Sequence, residues 1–131
     1  MNRKILYIED NEQNLYLVTF ILQKNGYEVI GARDGRQGID AATAAHPALI
    51  LLDIQLPGMD GYAVARKLRE LRELADVPIV AVTSSAMVGD RERALEAGCT
   101  GYIEKPINPE TFLSQIERHL TAPLSPGGTA N

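Results

Sequence analysis

Short apolar runs alternate along the chain with longer stretches whose apolar residues recur every three to four positions. Residues 5–8 form the first run, too short for a helix and β-branched at Ile5 and Ile8. A helical pattern follows, with Leu15, Val18 and Leu22 on one stripe and Gly26 as its stop. Residues 27–30 read as a second strand, and the Ala-rich residues 35–45 as a helix ended by His46-Pro47. Residues 49–52 make a third strand. Asp60 is placed to cap the next helix, where Val64, Leu68 and Leu71 share a face. Pro78 opens a fourth strand over 79–82, a weaker helix spans 86–97 up to Gly98, and Tyr102-Ile103 make a short fifth strand. The last helix is expected to begin near Pro109, a residue tolerated in a first turn, with Phe112, Ile116 and Leu120 facing inward.

Five βα units in strict alternation predict an α/β fold, a (βα)5 doubly wound five-stranded parallel sheet with helices on both faces. Strands that are apolar throughout suit a sheet covered on both sides. One domain over residues 1–120 accounts for nearly the whole chain. Residues 121–131 hold two prolines, two glycines and no charge, and read as a flexible tail.

Composition narrows the function classes. A net charge of −4 argues against direct nucleic-acid binding, which needs a basic face. The single cysteine, Cys99, leaves no disulfide framework and fits a reducing compartment. No apolar segment approaches the ~20 residues of a membrane span, and acids arrive too early for a signal peptide. A cytoplasmic protein with no membrane partner is expected.

The candidate chemistry gathers where strands end. In LILLDIQLPGMDG four aliphatic residues lead straight into Asp53. A buried ionised acid is costly unless it is paired, hydrogen-bonded or bound to a metal. The first strand runs into Glu9-Asp10, the fourth into Thr83, and the fifth into Lys105-Pro106. Ligands of open α/β sheets bind outside these carboxyl ends. Three carboxylates against one ammonium would raise their own pKa values. A divalent cation relieves that repulsion, and carboxylate oxygens with a loop carbonyl and waters suit Mg²⁺.

The same residues carry a resemblance. YIEDN, LILLDIQLPGMDG, VAVTSSAM and YIEKPI stand in the order and roughly the spacing of the receiver domain of two-component response regulators, a flavodoxin-like domain. EDN and MVGDRE resemble stand-alone receivers of the cell-cycle-regulator type and receivers of hybrid kinases. The resemblance implies that Asp53 accepts a phosphoryl group from a phosphohistidine on a histidine kinase or histidine phosphotransfer protein. It implies Mg²⁺ held by Asp10 directly, by Glu9 through water, by Asp53 and by the backbone carbonyl of Gln55. Lys105 then pairs with Asp53 and later with a phosphoryl oxygen, the Thr83 hydroxyl bonds another, and Tyr102 changes rotamer in response. A downstream protein would read the face of the fourth helix, fifth strand and fifth helix, or the phosphate would be passed on. The acyl phosphate would hydrolyse to reset the switch, with Gln55 and Ser85 flanking the path of the water. The resemblance also implies a cis Lys105-Pro106 bond, and a signalling domain rather than an enzyme. Many members carry two aspartates where this chain has Glu9-Asp10.

Each residue has a plainer reading. Asp53 alone could be a turn residue or a cap, and Glu9-Asp10 the N-terminal charge of a helix. Thr83 is read as functional, and one of Ser84 and Ser85 as a helix cap. Tyr102 could be ordinary packing. His46 and His119 read as solvated surface, and Cys99 as a small packing residue. The joint placement of Glu9, Asp10, Asp53, Thr83 and Lys105 favours the site. Three other functions compete. A degenerate receiver that only binds proteins is opposed by the intact set. A flavin or nucleotide binder lacks a glycine-rich turn after the first strand. An aspartate-dependent phosphatase would place its nucleophile on the first strand.

Overall fold

Side chains alternate across one parallel sheet, and both of its faces are covered. A computed structural model describes residues 2–56, 58–84 and 88–121. The strands are β1 (Lys4–Ile8), β2 (Glu28–Ala32), β3 (Leu49–Asp53), β4 (Ile79–Thr83) and β5 (Gly101–Glu104). Their spatial order is β2-β1-β3-β4-β5, all parallel. The helices are α1 (Glu12–Lys24), α2 (Gly35–Ala45), α3 (Gly61–Glu70), α4 (Asp90–Glu96) and α5 (Phe112–Thr121). A two-residue antiparallel hairpin, Gln55–Leu56 against Met59–Asp60, links β3 to α3.

The period-2 geometry of strands sorts the core into two layers. Leu6, Ile8, Ile50, Leu52, Ile79 and Ala81 face one way and pack with Ala42 of α2, Val64 and Leu68 of α3, and Ala94 of α4. Ile5, Tyr7, Leu49, Leu51, Val80 and Val82 face the other way and pack with Val18 and Leu22 of α1 and with Phe112 and Ile116 of α5. The expected doubly wound sheet is what the chain forms. Its strand order reverses at β1, which lies between β2 and β3, so the loops after β1 and β3 diverge and open a crevice.

Local chemistry explains most of the boundaries. Asn11, Asp34 and Asp60 cap α1, α2 and α3, their side chains accepting from the amides of Asn14, Gln37 and Tyr62. His46 ends α2 in the left-handed conformation, φ 51°, before Pro47. Two starts differ from the sequence reading. The described part of α4 begins at Asp90, not 86, because Gly89 at φ 93° sits outside helical space; Ala86 and Met87 lie outside the described residues. α5 begins at Phe112, not near Pro109. There Asn108 organises a turn, its side chain accepting from Glu110 N and its carbonyl from Thr111 N and Phe112 N. The expected tail over 121–131 falls almost wholly outside the described residues. Among the described residues no helix is long and apolar enough to cross a membrane.

Candidate phosphoryl-acceptor site

The carboxyl ends of β1, β3, β4 and β5 bring the expected residues into one pocket. Asp53 closes β3 opposite Val82 of β4 and is 2% exposed. Its Oδ1 accepts from the Gln55 amide at 2.9 Å, an Asx turn that fixes the carboxylate plane. Glu9 directly follows β1 and is 1% exposed. Its amide donates to the Ala32 carbonyl at 2.8 Å, which continues the β1–β2 ladder. Asp10, one residue on, is exposed at the rim. Carboxylate oxygens of Glu9, Asp10 and Asp53 all lie within 4.8 Å of one another.

Lys105 supplies the positive charge. Its amide donates to the Thr83 carbonyl at 2.8 Å, tying the end of β5 to the end of β4. The Lys105-Pro106 bond is cis, as expected. The ammonium lies 3.4 Å from Asp53 Oδ2 but 2.9 Å from Glu9 Oε1. The expected pairing with Asp53 is therefore present and is the longer of two. The sequence reading missed Tyr7, whose hydroxyl donates to Glu9 Oε1 at 2.8 Å. Strand alternation carried the signal, since Tyr7 and Glu9 stand two residues apart on one side of the backbone.

These partners divide the two buried acids. Burial raises the Asp53 pKa to about 6; the Gln55 amide opposes this, Glu9 adds to it and Lys105 reduces it. Burial also pushes Glu9 up, but bonds from Lys105, Asp53 and Tyr7 outweigh it and leave its carboxyl below the ordinary value. Burial would lower Lys105, yet Glu9 and Asp53 hold it above the usual ammonium value. Glu9 is thus the settled anion of the pair, and Asp53 is the carboxylate whose ionised form a nearby cation would favour most.

Thr83 ends β4, 3% exposed, and Tyr102 lies on the neighbouring β5, half-buried. The Tyr102 hydroxyl is buried and has no hydrogen-bond partner among the described residues. The expected serine cap of α4 is not formed by Ser84, which spends its hydroxyl on Gln55 Oε1 at 2.6 Å. Ser85 lies outside the described residues. His46 is exposed and acts as a backbone cap, and His119 is half-buried against Gly101. Cys99 is buried, and burial pushes its thiol up to about 11, which leaves an inert packing residue.

Comparison with known proteins gives this geometry its relatives. The family model described as the response regulator receiver domain matches residues 5–117. Polar-differentiation response regulators DivK of Brucella ovis and Brucella abortus are 42% identical over 120 residues, covering 92% of this chain and 98% of theirs. The chemotaxis protein CheY4 of Vibrio cholerae superposes with a TM-score of 0.86 at 30% identity, covering 90% of this chain and 98% of that one. The receiver domain of the sensor histidine kinase PA1611 of Pseudomonas aeruginosa, with a magnesium ion coordinated in its active-site cleft, gives 0.83 at 34% identity over 92% and 98% of the two chains. With about nine-tenths of its length in register with these relatives and the acidic pocket on the same fold, the chain belongs to the response-regulator receiver family.

Proposed function

We propose that Asp53 takes a phosphoryl group from a phosphohistidine on a histidine kinase or histidine phosphotransfer protein, and that the resulting acyl phosphate switches a partner-binding face or is relayed onward. The observation that carries this is the shared Lys105 ammonium. It bridges Glu9 and Asp53, two acids buried to within a few per cent at the end of a sheet. A structural ion pair needs one acid; the second, with its raised pKa, is held ready to react.

In the transfer, a carboxylate oxygen of Asp53 bonds to phosphorus as the phosphorus–nitrogen bond breaks, and the imidazole keeps the electron pair. Such reactions ask a protein chiefly to position groups and offset charge. The Gln55 amide holds the Asp53 plane for in-line attack. Lys105 can leave Asp53 Oδ2 for a phosphoryl oxygen while keeping Glu9, and the Thr83 hydroxyl, at the end of β4, would bond another. The hard oxygens of Glu9, Asp10 and Asp53, gathered within 4.8 Å, fit Mg²⁺, with the Gln55 carbonyl as a fourth donor. When bound, the ion offsets negative charge on the phosphoryl oxygens. The magnesium-bearing receiver of PA1611 supports that choice.

The readout face is α4, β5 and α5. A cleft of about 590 Å³ opens there between Val88, Arg91, Tyr102, Glu104 and Gln115, and Val88 and Leu95 stand exposed beside it. The domain turns over no separate substrate, makes no direct nucleic-acid contact and works in the cytoplasm without a membrane partner. Hydroxylamine tests the chemistry. Protein labelled with acetyl phosphate and Mg²⁺ should lose its label to neutral hydroxylamine, which cleaves acyl phosphates. A label that survives hydroxylamine would place the phosphate on another residue type and end the proposal.

A further inference from the structure

Tyr7 reaches the acidic pocket from inside the core. It stands near the end of β1, in register with Gly31 of β2 and Leu51 of β3, and is 0% exposed. Its side chain belongs to the apolar layer that holds Val18 of α1 and Phe112 of α5. A buried tyrosine hydroxyl needs a partner, and this one donates to Glu9 Oε1 at 2.8 Å. The Lys105 ammonium lies 2.9 Å from the same oxygen, and the Asn11 amide donates to Glu9 Oε2 at 3.2 Å. A carboxylate has about four lone-pair sites, two on each oxygen. These donors fill Oε1 and leave one site on Oε2, open to a cation or to a water that the cation holds.

The donors differ in how firmly they are committed. Lys105 is shared, since it also lies 3.4 Å from Asp53 Oδ2, and a phosphoryl group on Asp53 would compete for it. The Tyr7 hydroxyl is carried on a ring enclosed in the core and cannot swing away. A glutamate also has one more side-chain torsion than an aspartate, so holding its carboxylate in one place costs more conformational entropy. Partners that orient the groups around a metal commonly change its affinity ten- to a hundred-fold. We infer that Tyr7 is a positioning residue for the divalent cation: it anchors the Glu9 carboxylate and thereby sets the affinity of the pocket for Mg²⁺. The inference rests on the Mg²⁺ site of the proposed function and concerns binding of the ion before any phosphate arrives.

The test is a titration with Mg²⁺ alone, without phosphodonor, followed by the backbone amide shifts of Asn11 and Gln55. The proteins are wild type, Tyr7→Phe, Glu9→Ala, Tyr7→Phe/Glu9→Ala and, as a core control in the same apolar layer, Val18→Ala. The same spectra report whether each protein is folded. Tyr7→Phe removes a single oxygen and should raise the dissociation constant about ten-fold or more. In the Glu9→Ala background it should change nothing, and Val18→Ala should leave the affinity at the wild-type value. In wild type, the ring carbon of Tyr7 that bears the hydroxyl should shift along the same curve as the pocket amides, a readout that needs no substitution. Unchanged affinity in Tyr7→Phe, a loss that persists without Glu9, an equal loss in Val18→Ala, or a Tyr7 ring indifferent to Mg²⁺ would overturn the inference. A wild type that binds no Mg²⁺ would refute the metal site itself, and the inference with it.

Discussion

Replacing the proposed phosphoacceptor with its neutral isostere should make the metal-free domain more stable. Asp53→Asn keeps the shape and an oxygen for the Gln55 amide, gains an NH₂ that can donate to Glu9, and removes one of two buried negative charges. The carboxyl has a folded pKa of about 6 against an ordinary 3.8. A folded pKa above the unfolded one means stability that is present below about pH 3.8 and lost as pH rises to about 6. At neutral pH wild type has lost it, and the Asn variant has not. Two pKa units correspond to about 3 kcal/mol, and relaxation of the pocket reduces this to about 1–3 kcal/mol. For a domain of this size that is about 3–10 °C in melting temperature. The assay is thermal unfolding in EDTA at pH 7.5 and pH 4, then with saturating Mg²⁺. The Asn variant should melt higher at pH 7.5, match wild type at pH 4, and gain less from Mg²⁺, because a ligand that binds only the native state stabilises according to its affinity. An Asn variant no more stable than wild type in EDTA at pH 7.5 would refute the electrostatic account of the pocket.

Three further expectations follow from single contacts. A Cβ on Gly61 would run into the backbone of Ile54, directly after Asp53, so Gly61→Ala should cost at least about 2 kcal/mol in urea unfolding and slow phosphorylation; a silent substitution would show that this approach is loose. Burial of His119, with the Arg118 charge beside it, holds the imidazole below its ordinary pKa. The unfolded chain then takes up the proton first, so stability should fall as pH drops through about 6.5, and His119→Gln should flatten that part of the urea-midpoint profile. Thr83→Ala should still accept phosphate, yet lose most of the beryllofluoride-induced amide shifts at Tyr102 and along α4, because a hydrogen bond to a charged group contributes about 1.5–3 kcal/mol to the switch; equal long-range shifts in both proteins would remove Thr83 as the coupler.

The fold was legible because its signals are local and repeated. Four-residue apolar runs too short for helices, Asp60 before a helical stripe and His46-Pro47 after one each mark a boundary that the backbone respects. The starts of α4 and α5 were not legible, since they depend on the conformation of Gly89 and on a turn wound by Asn108. At the site, parallel topology alone brings strand ends together, so Glu9, Asp10, Asp53, Thr83 and Lys105 could be placed before any distance was known. Spacing could not reveal that Lys105 sits closer to Glu9 than to Asp53. Nor could it reveal that Ser84 faces Gln55, because both depend on side-chain rotamers across a sheet edge.

The central claim is that Asp53 is the single acceptor and that the acidic pocket works with a divalent cation. Intact mass after incubation with acetyl phosphate measures it directly, for wild type and Asp53→Asn, each with Mg²⁺ and with EDTA. One phosphate on wild type with Mg²⁺, and none in the other three samples, is the predicted result. Equal labelling of the Asn variant, or labelling that ignores EDTA, would contradict the account.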